Sequence, residues 1–365
     1  MTELSQIEDF TNILIRSTPM MDTRAPIEYN QGSFPYTQNL PLMNDSEREL
    51  VGTCYKNKGR SEAIKLGHNL VQGKVKELRI KSWLEFITNN PHGAMYCYRG
   101  GMRSKIAQRW IFERYGIEYP RINGGYKAIR RFIIDETLRI MRKTTPIIIG
   151  GQTGSGKTIL LNKINNQIDL EGLANHRGSA FGNTTTPQPT QISFENELGI
   201  ELVKKQELTH LVFEDEGSNI GNLHIPECVQ NNTITADLII LETNIDQRIS
   251  ISMDEYVTSM YIEFCNADNE NGFIDFSNYW LGSIKKIQKR LGLERYKEML
   301  NLVTSALYQC EKKGNFDGFI PVIEKLLIEY YDPMYSYQIK KKTSRVVFSG
   351  NSVEVIDYLA SRSIS

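Results

Sequence analysis

The sequence predicts an α/β protein: two parallel-sheet domains, then a mostly helical C-terminal region. Three observations carry this. The length of 365 residues allows roughly two domains of about 150 residues, each large enough to bury its own core. Short apolar or β-branched runs alternate with amphipathic stretches on both sides of a break at "MRKTTPIIIGG", as parallel strands with crossover helices require. Beyond about residue 260 the strand-like runs cease and helical patterns take over. The expected domains are 1–143, 144–260 and 261–365, the last packed with the second. Residues 44–82 read as a polar, helix-prone insertion in which "GTCYKNKG" is a loop.

Composition narrows the class. Hydrophobic residues make up 40% and charged residues 24%, which is ordinary for a soluble globular chain. The first residues, "MTELSQIEDF", carry acids and no apolar core, so no signal peptide is expected. The longest apolar runs, "IIIG" and "LIIL", are too short to cross a bilayer. Five cysteines at 54, 97, 228, 265 and 310 are odd in number and scattered. They suggest neither a disulfide framework nor a zinc, haem or iron–sulfur site, and they fit a reducing cytoplasm. The net charge of zero hides an asymmetry: residues 1–143 hold 23 Lys and Arg against 15 Asp and Glu, the remainder 20 against 28. A basic first half could face a polyanion, or the two halves could attract each other.

In the first domain, "TPMMDTR" reads as a strand ending in charge and "GAMYC" as a strand delivering Cys97 to a loop. "SKIAQRWIFERY" follows as a helix with Ile106, Ala107, Trp110 and Ile111 on one face. The loop itself is "CYRGGMRS". A helix N-terminus beneath a thiol lowers its pKa, and Arg99 and Arg103 could do the same while binding an anion. Residue types alone leave sulfur or selenium transfer and phosphate-ester cleavage both open.

In the second domain "PIIIGG", "QIDLEG", "HLVFEDE" and "DLIILET" read as four strands with polar or acidic ends. "GGQTGSGKT" has Gly151, four residues, then Gly156, Lys157 and Thr158, after an apolar strand and before the helical run "KTILLNKI". That is the Walker A pattern: backbone N–H groups form an anion nest, Lys157 adds a full charge, and Thr158 can hold Mg²⁺. Acids at the strand ends could complete the site: Asp169 and Glu171 in "IDLEG", and Glu214, Asp215 and Glu216 in "VFEDE". Arg248, in "TNIDQRIS" after a strand, could reach phosphate but reads more readily as a helix-surface residue. In the C-terminal region "SIKKIQKRLGLERYKEML" reads as an amphipathic helix with Ile284, Ile287, Leu291 and Leu293 near one face.

The first 140 residues resemble a rhodanese domain, through "MMDTRAPIEYNQGSFPYTQNLP", "CYRGGMRS" and "YPRINGGYKAIR". Rhodanese loops place four residues between Cys and Arg, whereas this one places five, Tyr98 to Met102, the spacing of cysteine phosphatases. Joined to a Walker A domain, and with "VGTCYK", "DLEGLANHRGSAFG", "SFENEL" and "YYDPMYSYQ", the chain resembles the tRNA 2-selenouridine synthases from about Asp22 to Phe348.

That resemblance implies a tRNA-modifying enzyme acting on the wobble 2-thiouridine. Geranyl diphosphate alkylates the sulfur, and selenophosphate then replaces the geranylthio group. By this reading Cys97, Arg103 and Asp169 are catalytic. Arg99, Gly100, Gly101, Met102, Arg103 and Ser104 bind selenophosphate. Gly151, Gly154, Ser155, Gly156, Lys157 and Thr158 bind the diphosphate, with Arg177 and Ser179, beside His176, as further contacts. Thr158 and Asp215 hold Mg²⁺. Lys127, Arg130 and Arg131, with Lys285, Lys286, Lys289 and Arg290, are candidate tRNA-backbone contacts, and "IKKKTSR" carries the same ambiguity. Cys54 either relays selenium or is structural. A supplier of selenophosphate is a conceivable partner, and no membrane is expected. The rivals are a P-loop kinase or ATPase with an appended sulfurtransferase, a cysteine phosphatase, and a scaffold with two retired sites.

Overall fold

A computed structural model describes residues 4–268 and 270–363. They form two compact units, residues 1–140 with 190–206, and residues 141–189 with 207–365.

The first unit is built on five parallel strands: β1 (Gln6–Ile7), β2 (Met20–Asp22), β3 (Thr37–Asn39), β4 (Ala94–Tyr96) and β5 (Arg121–Ile122), in the order β1-β5-β4-β2-β3. Met21, Met95, Trp83, Trp110 and Ile111 pack into one core. The charge at the end of β2 is internal. Asp22 and Arg24 are both buried and paired at 2.7 Å, with the guanidinium also over the Tyr126 ring. "GTCYKNKG" is helical rather than a loop, since Asp45–Leu70 is helix with a kink at Gly59. Residues 190–206, inside the range expected for the second domain, pack with this unit. Helix Gln191–Lys204 buries Phe194, Leu198 and Leu202, and Asn196 donates to the Ser33 carbonyl at 2.8 Å. An amphipathic pattern shows that a helix has a buried face, not which domain covers it.

The second unit has β6 (Thr145–Gly150), β7 (Gln167–Ile168), β8 (His210–Glu214), the hairpin β9 (Asn219–Ile220) and β10 (Leu223–His224), β11 (Asp237–Leu241) and β12 (Val346–Gly350). The main sheet is parallel, in the order β12-β11-β6-β8-β7. The strand that feeds the glycine loop is therefore central. β12 falls in the region expected to be helical; it is a half-exposed edge strand, whose pattern is weak. The long C-terminal amphipathic run breaks at Gly292, where φ is 79°, into helices Gly272–Leu291 and Leu293–Lys313. Ile284, Ile287 and Leu291 are buried as expected, but Leu293 is 60% exposed because the break takes it off that face. Trp280, Phe276, Phe319 and Met260 centre the helical core. Among the described residues no helix is long and apolar enough to cross a membrane.

Candidate active sites

Two places gather the predicted residues, one in each unit. In the second unit the loop after β6 opens onto a cavity of about 780 Å³, within the range typical of small-molecule sites. Gly151, Gly154, Gly156, Lys157 and Thr158 line it. Ser155 is buried beneath the loop, and its carbonyl accepts from Thr243 at 2.9 Å. Lys157 Nζ donates to the Gly151 carbonyl at 3.2 Å, curled over the nest where an anion would sit. The helix after the loop spans only Lys157–Leu161, shorter than the "KTILLNKI" pattern suggests. Arg248, expected at the surface, is 3% exposed. Its Nε donates to the Thr153 carbonyl at 3.0 Å while Asp332 holds its other nitrogens, so it braces the loop from below.

Acids face the loop from the neighbouring strand ends. Asp169 caps helix Leu170–Ala174 by accepting from the Gly172 N–H at 2.8 Å, and it lines the cavity. Glu171, Glu214 and Glu216 bring carboxylate oxygens within 4.8 Å of one another. Thr158 Oγ1 donates to Glu214 Oε1 at 3.4 Å, while Glu214 Oε2 is buried without a hydrogen-bond partner. Burial raises the pKa of all three. Glu214 rises to about 7, with Lys157 opposing the shift, and Glu171 rises higher still under the added charges of Glu214 and Glu216. Clustered hard oxygen donors with an orphaned lone pair suit a divalent cation such as Mg²⁺. Asp215, expected as the metal ligand, is instead committed to Lys342 Nζ at 2.6 and 2.8 Å. Strand β8 ends at Glu214. Glu216 N–H then donates to the Glu214 carbonyl at 2.9 Å in a tight turn centred on Asp215, which borders the cavity while its carboxylate is held by Lys342.

The cavity is also lined by His176, Arg177, Ser179, Lys286 and Arg290 and by the aromatic side chains of Tyr256, Tyr330, Tyr331 and Tyr335. Burial, then the charge of Lys286, lowers the His176 pKa. Lys285 and Lys289 are exposed on the same helix as Lys286 and Arg290. The tyrosines are not singled out by the sequence, and Arg248 reads there as a phosphate contact or a surface residue, not as a brace of the loop. The aromatic density of "YYDPMYSYQ" was the available signal for the former.

In the first unit, β4 ends at Tyr96 and helix Met102–Tyr115 begins five residues after Cys97. Cys97 is 3% exposed, and its Sγ accepts from Ser104 Oγ at 3.2 Å. The loop is sewn to the segment after β5. Tyr126 N–H donates to the Cys97 carbonyl, Lys127 N–H to the Tyr98 carbonyl, and Arg121 to the Gly100 carbonyl at 2.7 Å. Arg103 makes a two-bonded pair with Glu28. Arg99 is exposed and lies 5.9 Å from the Tyr98 ring centre, so it is the loop's outward cation. Of the basic residues predicted to meet nucleic acid, Arg130 is taken up by Glu195 and Asn196, and Arg131 pairs with Asp135. Lys127 is exposed. Cys54 is half-buried on the kinked helix Asp45–Leu70.

A parallel α/β unit with a phosphate loop at its central strand, on a chain whose other unit seats a cysteine before a helix, has the architecture of a P-loop protein with a cysteine loop in its other unit. The family model described as "tRNA 2-selenouridine synthase AAA domain" matches residues 144–365. Proteins named tRNA 2-selenouridine synthase align with nearly the whole chain. One from Sulfurovum sp. is 48% identical over 98% of this chain and 99% of its own. One from Photobacterium profundum is 47% identical over 97% and 98%, and one from Pseudomonas fluorescens 45% identical over 97% and 98%. The chain belongs to the tRNA 2-selenouridine synthase family.

Proposed function

We propose that this enzyme converts the wobble 2-thiouridine of tRNA to 2-selenouridine in two steps, alkylation of sulfur and replacement of the alkylthio group by selenium. The observation that carries the reading is a single cavity lined both by a phosphate nest and by four tyrosines. It suits a diphosphate attached to an apolar chain, as in geranyl diphosphate. Sulfur attack on the chain's first carbon breaks its C–O bond and releases diphosphate. The nest of Gly151, Gly154, Ser155 and Gly156 with Lys157 meets the charge that develops on that leaving group. Glu171, Glu214, Glu216 and Thr158 would hold Mg²⁺, which neutralises diphosphate charge when bound. Alkylating a 2-thiouridine sulfur costs the base its N3 proton, and Asp169, facing the cavity, is the carboxylate assigned to take it.

Alkylation turns a poor leaving group into a good one, which is what the second step requires. The loop Arg99 to Ser104 holds selenophosphate, with Arg99 as its outward cation and Cys97 positioning the selenium. Selenium bonds to C2 of the base as the geranylthiolate departs with selenophosphate's proton as geranylthiol. Water then cleaves the Se–P bond and releases phosphate. The five-residue spacing, one more than a sulfane carrier has, accommodates the tetrahedral phosphate. Lys285, Lys286, Lys289 and Arg290, with Lys127, are the cations assigned to tRNA phosphates. Incubation of the purified protein with 2-thiouridine tRNA and geranyl diphosphate, then selenophosphate, followed by nucleoside mass analysis, tests the scheme. S-geranyl-2-thiouridine and then 2-selenouridine are expected. Rapid tRNA-independent ATP turnover with neither product would replace the scheme with a kinase or ATPase.

A further inference from the structure

Two of the helical stretches that wall the diphosphate cavity contain π-turns, Asp254–Thr258 and Leu327–Tyr331. Such a turn adds a residue and re-aims its neighbours, a cost usually kept where a side chain must point at something. Here the first turns Tyr256, and the second Tyr330 and Tyr331, into the same cavity. Behind them lies a second space of about 20 Å³, walled by Phe181, Trp280, Ile323, Leu326 and Leu327. Thr153, Tyr256 and Tyr331 border both spaces. Since Thr153 belongs to the phosphate loop, the apolar end of the cavity begins at the loop itself.

The segment around Arg177 and Ser179 also finds its place here. Its cation lies 5.8 Å from the Tyr256 ring centre, and the Ser179 side chain faces the Tyr331 hydroxyl. Tyr279 donates to the Phe181 carbonyl at 2.7 Å, and Phe181 packs on Trp280 with ring centres 5.0 Å apart. The segment therefore fixes the aromatic wall rather than only reaching toward phosphate.

We propose that Tyr256 and Tyr331 receive the apolar chain of the diphosphate donor and set its length, with Arg177 and Ser179 as positioning residues. This rests on the cavity being a prenyl diphosphate site. For a chain that runs onto the two rings, the space of about 20 Å³ behind them leaves no room for another isoprene unit, so along that path a longer chain is refused. Replacing either ring by a smaller apolar side chain joins the two spaces and admits it.

The test measures binding of geranyl and farnesyl thiolodiphosphates, unreactive analogues of ten and fifteen carbons, by calorimetry, with kcat/KM for the parent diphosphates. The variants are Tyr256→Leu, Tyr331→Leu and the ring-preserving Tyr331→Phe, each checked by thermal melting. The leucine variants are expected to raise the farnesyl-to-geranyl ratio by roughly tenfold or more, the scale on which a pocket discriminates chain size. Tyr331→Phe should leave the ratio unchanged. Folded leucine variants with an unaltered ratio overturn the proposal. So does an effect confined to KM for tRNA, which would assign the wall to the base. If the unmodified protein binds neither analogue, the prenyl diphosphate reading itself fails, an outcome separate from the other two. Should both leucine variants fail to fold, Tyr256→Met, which replaces the ring by an unbranched, adaptable side chain, provides the further arm: a raised ratio supports the wall and an unshifted one overturns it.

Discussion

Arg248 and Asp332 form a two-bonded ion pair at 2.6 and 3.0 Å, and the third nitrogen of the same guanidinium holds the carbonyl of Thr153 in the phosphate loop. The loop is thus tied to a helix more than a hundred residues further along the chain. Asp332→Asn leaves a buried cation short of its counter-charge. It is expected to lower stability by about 3 kcal/mol and to slow alkylation by roughly tenfold or more, through a displaced loop. Urea unfolding and single-turnover alkylation read the two effects. Lost stability with an unchanged rate would mean that the pair does not hold the loop.

The glycines of the cysteine loop are expected to behave differently. A Cβ on Gly100 would lie 2.8 Å from the Gly124 nitrogen and 2.9 Å from the Ile122 carbonyl oxygen, at a φ of 61°. Gly100→Ala should cost about 1–2 kcal/mol from the left-handed backbone alone and suppress selenation. Gly101 has nothing within 4 Å of such an atom, and its φ is −90°. Gly101→Ala should therefore be tolerated. Deleting Gly101 shortens the loop to the four-residue spacing and should abolish selenation while sparing alkylation. Equal loss of both activities would count against a role for the loop width.

Glu28 supplies a pH prediction. Burial works to raise its pKa, but the hydrogen bonds and charge of Arg103, with smaller help from Ala25 and Arg48, leave it below the ordinary value. A carboxylate depressed in the folded state adds stability above its unfolded pKa and loses it as pH falls through the folded one. Stability of the unmodified protein should drop on acidification below about pH 4.5, and Glu28→Gln should flatten that part of the profile. Chemical denaturation at a series of pH values measures it, and parallel profiles would remove Glu28 from the account.

Much of this was legible in the residues, and the failures have physical causes. "GGQTGSGKT" and "CYRGGMRS" announce themselves because each requires particular residue types at fixed spacing. Their strands and helices follow from short-range pattern: β6 feeds the first and β4 the second. What pattern could not supply was partnership over distance. Arg248 looks like any helix arginine until Asp332 is placed beside it. Asp215 looks like the metal ligand in "VFEDE" until Lys342 is placed beside it. Helix Gln191–Lys204 has an apolar face that local sequence cannot assign to a unit. The break at Gly292 was written in the sequence but outweighed by a run of good helix formers on both sides.

The carboxylate cluster makes a metal prediction independent of turnover. Mn²⁺, followed by electron paramagnetic resonance, should bind the unmodified protein and bind more tightly as pH rises, because Glu171 and Glu214 must lose protons to serve as ligands. Glu171→Gln and Glu214→Gln should each weaken binding by roughly tenfold or more. Asp215→Asn should leave it unchanged. An Asp215 effect equal to that of Glu214 would return the metal to the residue first expected from sequence.

The division of labour between the two sites is the central claim, and one measurement addresses it directly. Lys157→Ala and Cys97→Ser variants are each given 2-thiouridine tRNA and, separately, tRNA already carrying S-geranyl-2-thiouridine, with both donors present, and the nucleosides are analysed by mass. Lys157→Ala is expected to leave 2-thiouridine untouched yet convert the pre-alkylated tRNA to 2-selenouridine. Cys97→Ser is expected to accumulate the geranylated nucleoside from either tRNA. Failure of Lys157→Ala to selenate pre-alkylated tRNA, or full selenation by Cys97→Ser, would contradict the assignment of alkylation to the phosphate loop and selenation to the cysteine loop.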